Sequence, residues 1–236
     1  MQKIQREESQ VSSMHILAIN GSPRGEESST RKLLLAACEG AGAEGADTTT
    51  FDISEMDIGF CTGCGSCYQT GHCFQNDDFE VVYHYLTTSE GVIFSSPVYI
   101  NSVTAQLKTF FDRLADAIHT QRLAGTYGCS ISTAGGANAE GVAEYQNSVI
   151  RVLGGTTTGS LGVNILGDPA AVERAIPDAK ELGSDLVRAI REKRQYPEQD
   201  EEHRVMGERM IELVSFNKDV WISEYEYWRD QGAYPR

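Results

Sequence analysis

The sequence predicts an α/β fold: a doubly wound, five-stranded parallel sheet with helices on both faces and a helical extension at the C-terminal end. Three observations lead there. Short apolar runs of strand length alternate with longer helical stretches over residues 14–193, the rhythm of a parallel sheet with crossover helices. A hydroxyl-rich turn joins the first strand to the first helix, at the edge where open α/β sheets hold ligands. Beyond the last strand, Met206, Met210, Leu213, Trp221, Tyr225 and Trp228 recur at helical spacing.

In chain order, residues 14–20 form the first strand on the run His15-Ile16-Leu17-Ala18-Ile19. Residues 30–41, dense in Leu, Ala, Lys and Arg, form the first helix. The Thr-rich stretch 48–53 is the second strand, and a long Gly/Cys loop, residues 59–76, follows. Asp77 and Asp78 then open a helix with acid at its positive end. Residues 91–95 make a buried third strand, and residues 103–118 read as one amphipathic helix. The fourth strand covers 126–132, with a loop over 133–137 and a helix over 140–153. The fifth strand covers 160–166, and Asp168-Pro169 open a helix to about residue 193. Five strands in this rhythm fit the order 2-1-3-4-5.

Residues 1–13 are polar and are expected to be a disordered tail ahead of a domain over 14–194. Residues 195–200 read as a linker to the extension, residues 195–236, which carries both tryptophans. Large aromatics anchor interfaces, so the extension is expected at a subunit contact or across its own domain. The string Gly40-Ala41-Gly42-Ala43-Glu44-Gly45 has the spacing of a dinucleotide fingerprint, but it ends a helix and precedes a strand. That context makes it a helix stop and turn.

The turn after the first strand runs from Asn20 to Thr30. Amides at a helix start point outward and the helix dipole favours negative charge there. Ser22, Ser28, Ser29 and Thr30 add hydroxyl donors, and Arg24 adds a positive fork. Four hydroxyls in nine residues exceed the needs of one helix cap. No Gly-Lys-Ser/Thr closes the turn, so a phosphate monoester such as that of FMN suits it better than ATP. Two further loops leave the same predicted edge. Pro97, Val98, Tyr99, Ile100 and Asn101 offer a stiffened turn with an aromatic plane, and Thr133, Ala134, Gly135 and Gly136 let backbone approach a flat ligand.

Cys61, Cys64, Cys67 and Cys73 crowd into one loop as two C-x-x-C steps with a fourth cysteine after five residues. Such crowding is poor for stapling distant elements and good for gripping one metal centre. The pattern is similar to ferredoxin-type ligation of a [4Fe–4S] cluster. Zinc on four thiolates, or thiols without metal, are the alternatives. Cys38 and Cys129 fall in a helix and a strand and read as small core residues, and His72 as a surface residue.

With 236 residues, 40% hydrophobic and 23% charged, the composition is that of one globular domain with an appendage. The net charge of −14 argues against nucleic acid or an anionic membrane surface as a partner. Without an apolar run of spanning length, the chain is expected to be cytoplasmic.

Gly21-Ser22-Pro23-Arg24 with Ser29-Thr30, Ser96-Pro97-Val98-Tyr99, and Leu107-Lys108-Thr109-Phe110-Phe111-Asp112-Arg113 resemble the NADPH-dependent FMN reductase branch of the flavodoxin-like superfamily. The compact C-x2-C-x2-C-x5-C pattern narrows the resemblance to the iron–sulfur flavoproteins. The resemblance implies a flavodoxin-like fold and FMN held at its phosphate by Ser22, Arg24, Ser28 or Ser29, and Thr30. It places Pro97 to Asn101 and Thr133 to Gly136 at the ring. It also implies a [4Fe–4S] cluster on the four clustered cysteines and a homodimer or homotetramer. The expected activity is electron transfer between NAD(P)H or a ferredoxin-like donor and an acceptor: a quinone, an oxygen species or a redox protein. A flavin converts between two-electron and one-electron chemistry, which gives a reason to pair it with a cluster. A non-enzymatic carrier with the same cofactors and a zinc-stabilised binding module are the alternatives.

Overall fold

Residues 14–234 are described by a computed structural model; the expected tail over residues 1–13 lies outside the described residues. Strands β1 (His15–Asn20), β2 (Asp47–Asp52), β3 (Gly91–Pro97), β4 (Tyr127–Ala134) and β5 (Thr156–Asn164) form one sheet in the order β2-β1-β3-β4-β5. Every neighbouring pair is parallel, as the alternation of elements requires. A parallel sheet is covered on both faces, so its strands read as near-continuous apolar runs. Ile16 and Ala18 face one core with α1 (Ser29–Ala43) and α7 (Ala170–Glu192), whereas Leu17 and Ile19 face the other. That second core lies under α3 (Phe79–Thr88), α4 (Ala105–Asp112) and α6 (Ala139–Val152).

Helices α1 and α7 touch through their backbones. A Cβ at Gly40 would lie 1.9 Å from the carbonyl oxygen of Lys180, and one at Gly183 would lie 1.9 Å from that of Ala37. Gly40 is therefore inside the helix and serves packing, while Gly45, at φ +88°, makes the turn that follows. Gly183→Ala must push the helices apart. Overpacking of this kind costs about 3 kcal/mol, expected as a lower urea midpoint with an unchanged slope.

Four boundaries differ from the sequence expectation. The fifth strand starts at Thr156, and a register shift between Gly128 and Cys129 accommodates its early start. Thr133 and Ala134 are strand, not loop, because they stay in register with Val163 and Asn164 of β5. The stretch expected as one helix over 103–118 breaks into α4 and α5 (Ala115–His119), with Arg113 at the break turned into the protein. The expected linker is mostly helix, since Pro197 opens α8 (Pro197–Phe216); its fixed φ and missing N–H suit a first helical position.

The extension, α8 followed by α9 (Ile222–Asp230), packs on its own domain. The Gln199 side chain acts as a short strand on the outer edge of β5, accepting from Thr157 N at 2.8 Å and donating to Thr157 O at 2.9 Å. It covers an edge that would otherwise present unpaired backbone groups. The Trp221 ring stacks on His119 (centroids 4.6 Å apart, 12° between planes) and lies 5.0 Å from the Tyr68 ring. Trp228 Nε1 donates to His119 O at 2.9 Å. Glu224, only 2% exposed, contacts His119 Nδ1 at 3.0 Å.

Burial raises the Glu224 carboxyl above its usual range against the pull of His119 and Arg122, and the nearby Asp116 pushes the same way. A raised acid favours its protonated form in the fold. Its contribution is complete below the ordinary carboxyl range and is lost as pH rises through the raised value. The melting temperature of Glu224→Gln relative to the parent should therefore climb over the window that opens at the ordinary carboxyl range and runs upward through the raised value. A flat difference across that window would exclude this linkage.

Candidate functional site

Asn20 pairs with Ser95, and Pro97 pairs with Thr133, so β1, β3 and β4 release their loops along one rim. After β1, Gly21 N donates to Ser95 O at 2.8 Å and Thr104 Oγ1 donates to Gly21 O at 2.6 Å. A Cβ at Gly21 would lie 2.8 Å from Leu107 Cβ, so the turn sits directly on α4. Ser22 is buried, with its amide donating to Asn20 Oδ1 at 3.1 Å, and Arg24 is exposed. Ser28 is the cap of α1, its hydroxyl accepting from Arg31 N at 3.1 Å. Ser29 is half-buried, and the buried Thr30 hydroxyl meets that of Thr133 at 2.6 Å. Arg31 is committed elsewhere, to Asp52 at 3.0 Å. Of the turn's polar side chains, Ser28 is spent on the helix cap and Thr30 on Thr133, whereas Ser29 and Arg24 stay at least partly open to solvent.

After β3, Val98 N donates to Thr133 O at 2.8 Å. Tyr99 and Ser102 exchange two backbone bonds, and Ile100 and Asn101 both sit at positive φ (50° and 57°). Two consecutive left-handed residues without glycine are strained, a feature that gathers at ligand sites. The turn presents Tyr99 and the 99%-exposed Ile100 outward. After β4, Gly135 and Gly136 are exposed, and a Cβ on either would meet nothing within 4 Å, which leaves open space beside the backbone. Asn138 Nδ2 ties the second and third loops together through Asn101 Oδ1 at 3.5 Å. A helix start with hydroxyls and an exposed arginine, an aromatic turn and bare glycine backbone thus share one rim, and such a rim fits a flat ring with a phosphate tail.

The cysteine loop is closed at its neck. Asp78 N donates to Asp57 O at 2.9 Å, Asp57 N to Asp78 Oδ2 at 2.8 Å, and Gly59 N to Asp77 Oδ2 at 2.9 Å. Within it lies α2 (Ser66–Thr70), bracketed by Gly65 and Gly71 at φ 73° and 78°. Cys61, Cys64, Cys67 and Cys73 are free thiols lining one pocket whose wall includes Tyr83, Arg113 and Asp116. Among the described residues no three or more His, Cys, Asp or Glu side chains are gathered closely enough to hold a metal ion as they stand. Thiolate ligands are drawn together by the cation they share, and glycines 63, 65 and 71, all at positive φ, set the bends of this loop. Four thiols on one pocket fit cluster ligation. Burial, then the charges of Asp116 and Glu224, push the Cys67 thiol up to about 12. A reactive thiol needs the opposite shift. His72 is a surface residue, with its side chain 79% exposed, and Cys38 and Cys129 are buried in the core.

The pattern of the NADPH-dependent FMN reductase family matches residues 14–167. An iron–sulfur flavoprotein of Archaeoglobus fulgidus is 33% identical over 222 residues, covering 93% of this chain and 99% of the relative. The chain belongs to the iron–sulfur flavoprotein branch of that family. An iron–sulfur flavoprotein of Clostridioides difficile is 29% identical over 226 residues, with coverage of 93% and 99%. Among solved structures, an NAD(P)H:quinone oxidoreductase from Methanothermobacter marburgensis shares the fold with a TM-score of 0.59 at 19% identity, covering 74% of this chain and 98% of that one. As a member of this family the chain is an FMN-dependent oxidoreductase that acts with a redox partner or a small-molecule acceptor.

Sequence reasoning missed two features of this iron–sulfur flavoprotein. Thr133 is tied to the hydroxyl-rich turn after β1 through Thr30, which only strand register reveals. Arg113 reaches the cysteine pocket although it lies 40 residues after Cys73 in the chain. Its one sequence signal was membership of the Leu107–Arg113 stretch. No helix among the described residues is long and apolar enough to cross a membrane.

Proposed function

We propose that the chain moves electrons between NAD(P)H, or a ferredoxin-like donor, and an acceptor such as a quinone, an oxygen species or a redox protein, through FMN and a [4Fe–4S] cluster. The observation that carries this reading is the shared pocket of Cys61, Cys64, Cys67 and Cys73, joined to the ligand rim by one helix. The start of α4 is pinned to Gly21 in the rim through Thr104, and its end leads into Arg113 in the pocket wall. Eight helical residues span about 12 Å at about 1.5 Å each, so one rigid element sets the spacing of the two sites.

The cofactors would supply hydride acceptance and single-electron exchange. The chain's own part is binding and placement. Arg24, the first-turn amides of α1, Ser29 and Thr30 hold the phosphate, while Ser22 and Ser28 shape the turn around it. Pro97 to Asn101 and Gly135–Gly136 flank the ring, with Tyr99 shielding it from water. Cys61, Cys64, Cys67 and Cys73 hold the cluster.

An anaerobic visible spectrum with iron, sulfide and zinc analysis tests the cofactors. Flavin bands with a broad cluster shoulder, and iron matched by sulfide, are expected. Steady-state oxidation of NAD(P)H with a generic acceptor tests the enzyme. Zinc without flavin would overturn the reading, and rapid reduction by a protein donor without NAD(P)H turnover would restrict it to an electron carrier.

A further inference from the structure

We infer that Arg113 positions and electrically tunes the four-cysteine centre, offering its free guanidinium N–H groups to the Cys73 sulfur and favouring the reduced state of a cluster held there. The inference rests on the cluster reading above and adds to it a residue outside the cysteine motif.

The Arg113 side chain is 1% exposed. Its Nη1 is held by the Asp77 carboxylate and donates to Gly59 O at 3.3 Å. Its guanidinium carbon stands 4.2 Å from the centroid of the Phe79 ring. Nε and Nη2 are buried without a hydrogen-bond partner. A buried unsatisfied donor is costly, and more so when charged, so two on one side chain call for an acceptor. The pocket wall that Arg113 lines supplies sulfur. Cys73 packs against the core cluster that includes Phe79, the ring under the Arg113 guanidinium.

Charge makes the arrangement directional. Among the described residues lining the pocket, Arg113 is the one cation, set against the acids Glu80 and Asp116. The whole chain carries −14. Reducing a cluster adds one electron to a centre already surrounded by negative charge, and no bond breaks in that step. A fixed buried cation lowers the cost of that electron more than an exposed one would, because the local dielectric is low. Asp77 has the second duty of tying Arg113 to the loop neck, accepting from Gly59 N at 2.9 Å and Phe79 N at 3.2 Å. The anchor that fixes the guanidinium therefore also fixes the loop carrying the cysteines.

The test is an EPR-monitored redox titration of the full chain, with dithionite as the electron donor and iron and sulfide measured on each sample. Arg113→Met alone strands the Asp77 carboxylate, so it is paired as Arg113→Met/Asp77→Asn. That double variant should keep its iron and sulfide yet shift the reduction equilibrium at least tenfold towards the oxidised state, about 59 mV for one electron. Asp77→Asn alone leaves the Arg113 charge uncompensated and should shift the equilibrium the other way. Arg113→Lys, keeping charge but losing the fork, should fall between the double variant and the parent. Equal midpoints in the parent and the double variant would overturn the role of Arg113 and leave the cluster intact. Shifts of the same sign in both Asp77→Asn and the double variant would mean loop disturbance and would overturn it as well. A parent without iron and sulfide would sink the cluster reading, and this inference with it.

Discussion

Cys64→Ser, and separately Cys61→Ser, are expected to strip the protein of iron and acid-labile sulfide while FMN remains bound. Both cysteines are exposed at the mouth of the pocket, where substitution usually changes stability by less than about 0.5 kcal/mol. A serine oxygen is a harder and much weaker ligand to cluster iron than a thiolate, so the effect on the cluster should be large. Iron per chain should fall at least tenfold and the broad shoulder of the visible spectrum should vanish, with the flavin bands unchanged. Electron delivery to one-electron acceptors should fall with the iron, whereas reduction of FMN by NAD(P)H should persist. Cys129→Ser is the control. Its thiol is fully buried in the core, so it should lower stability and keep the iron. Retention of iron and sulfide by Cys64→Ser would remove this cysteine from the ligand set and reopen the choice of metal.

The separation of those two effects follows from how the chain was built, and much of that was legible beforehand. The parallel sheet was readable because strands and helices alternate and β1 and β3 are apolar on both faces, as in Ile16 to Ile19 and Val92 to Phe94, which an antiparallel sheet with one wet face would not show. That the four cysteines share one loop was readable from spacing alone. What stayed hidden depended on contacts between distant residues. Thr133 looks like a loop residue until β5 extends the ladder beside it. Arg113 looks like an interior residue of one amphipathic helix over 103–118 until the break before α5 turns it inward. The extension offered aromatics without a partner, and its partners, Tyr68 and His119, lie in the cysteine loop and α5. Periodicity reports which face of an element is buried, not what buries it.

The same distinction decides the phosphate turn, where neighbouring serines carry different duties. Ser28→Ala should destabilise the protein by about 1 kcal/mol, the usual cost of a lost N-cap, because its hydroxyl is spent on Arg31 N. Its effect on FMN affinity should be small. Ser29→Ala should do the reverse. Ser29 is the first residue of α1, half-buried and free of the capping role, so its hydroxyl is available to a phosphate oxygen at the positive end of the helix dipole. Arg24→Ala removes an exposed cation from the same mouth. Hydrogen bonds to charged groups contribute about 1.5–3 kcal/mol, so Ser29→Ala and Arg24→Ala should each raise the Kd for FMN about 10- to 100-fold, with unfolding of the apoprotein unchanged. Quenching of FMN fluorescence on titration into apoprotein reads the affinity, and urea unfolding reads the stability. A larger loss of affinity in Ser28→Ala than in Ser29→Ala would mean that the cap opens on binding. The anion would then be held by the hydroxyl that closes the helix in its absence, and the turn would have to be treated as a switch between two occupants.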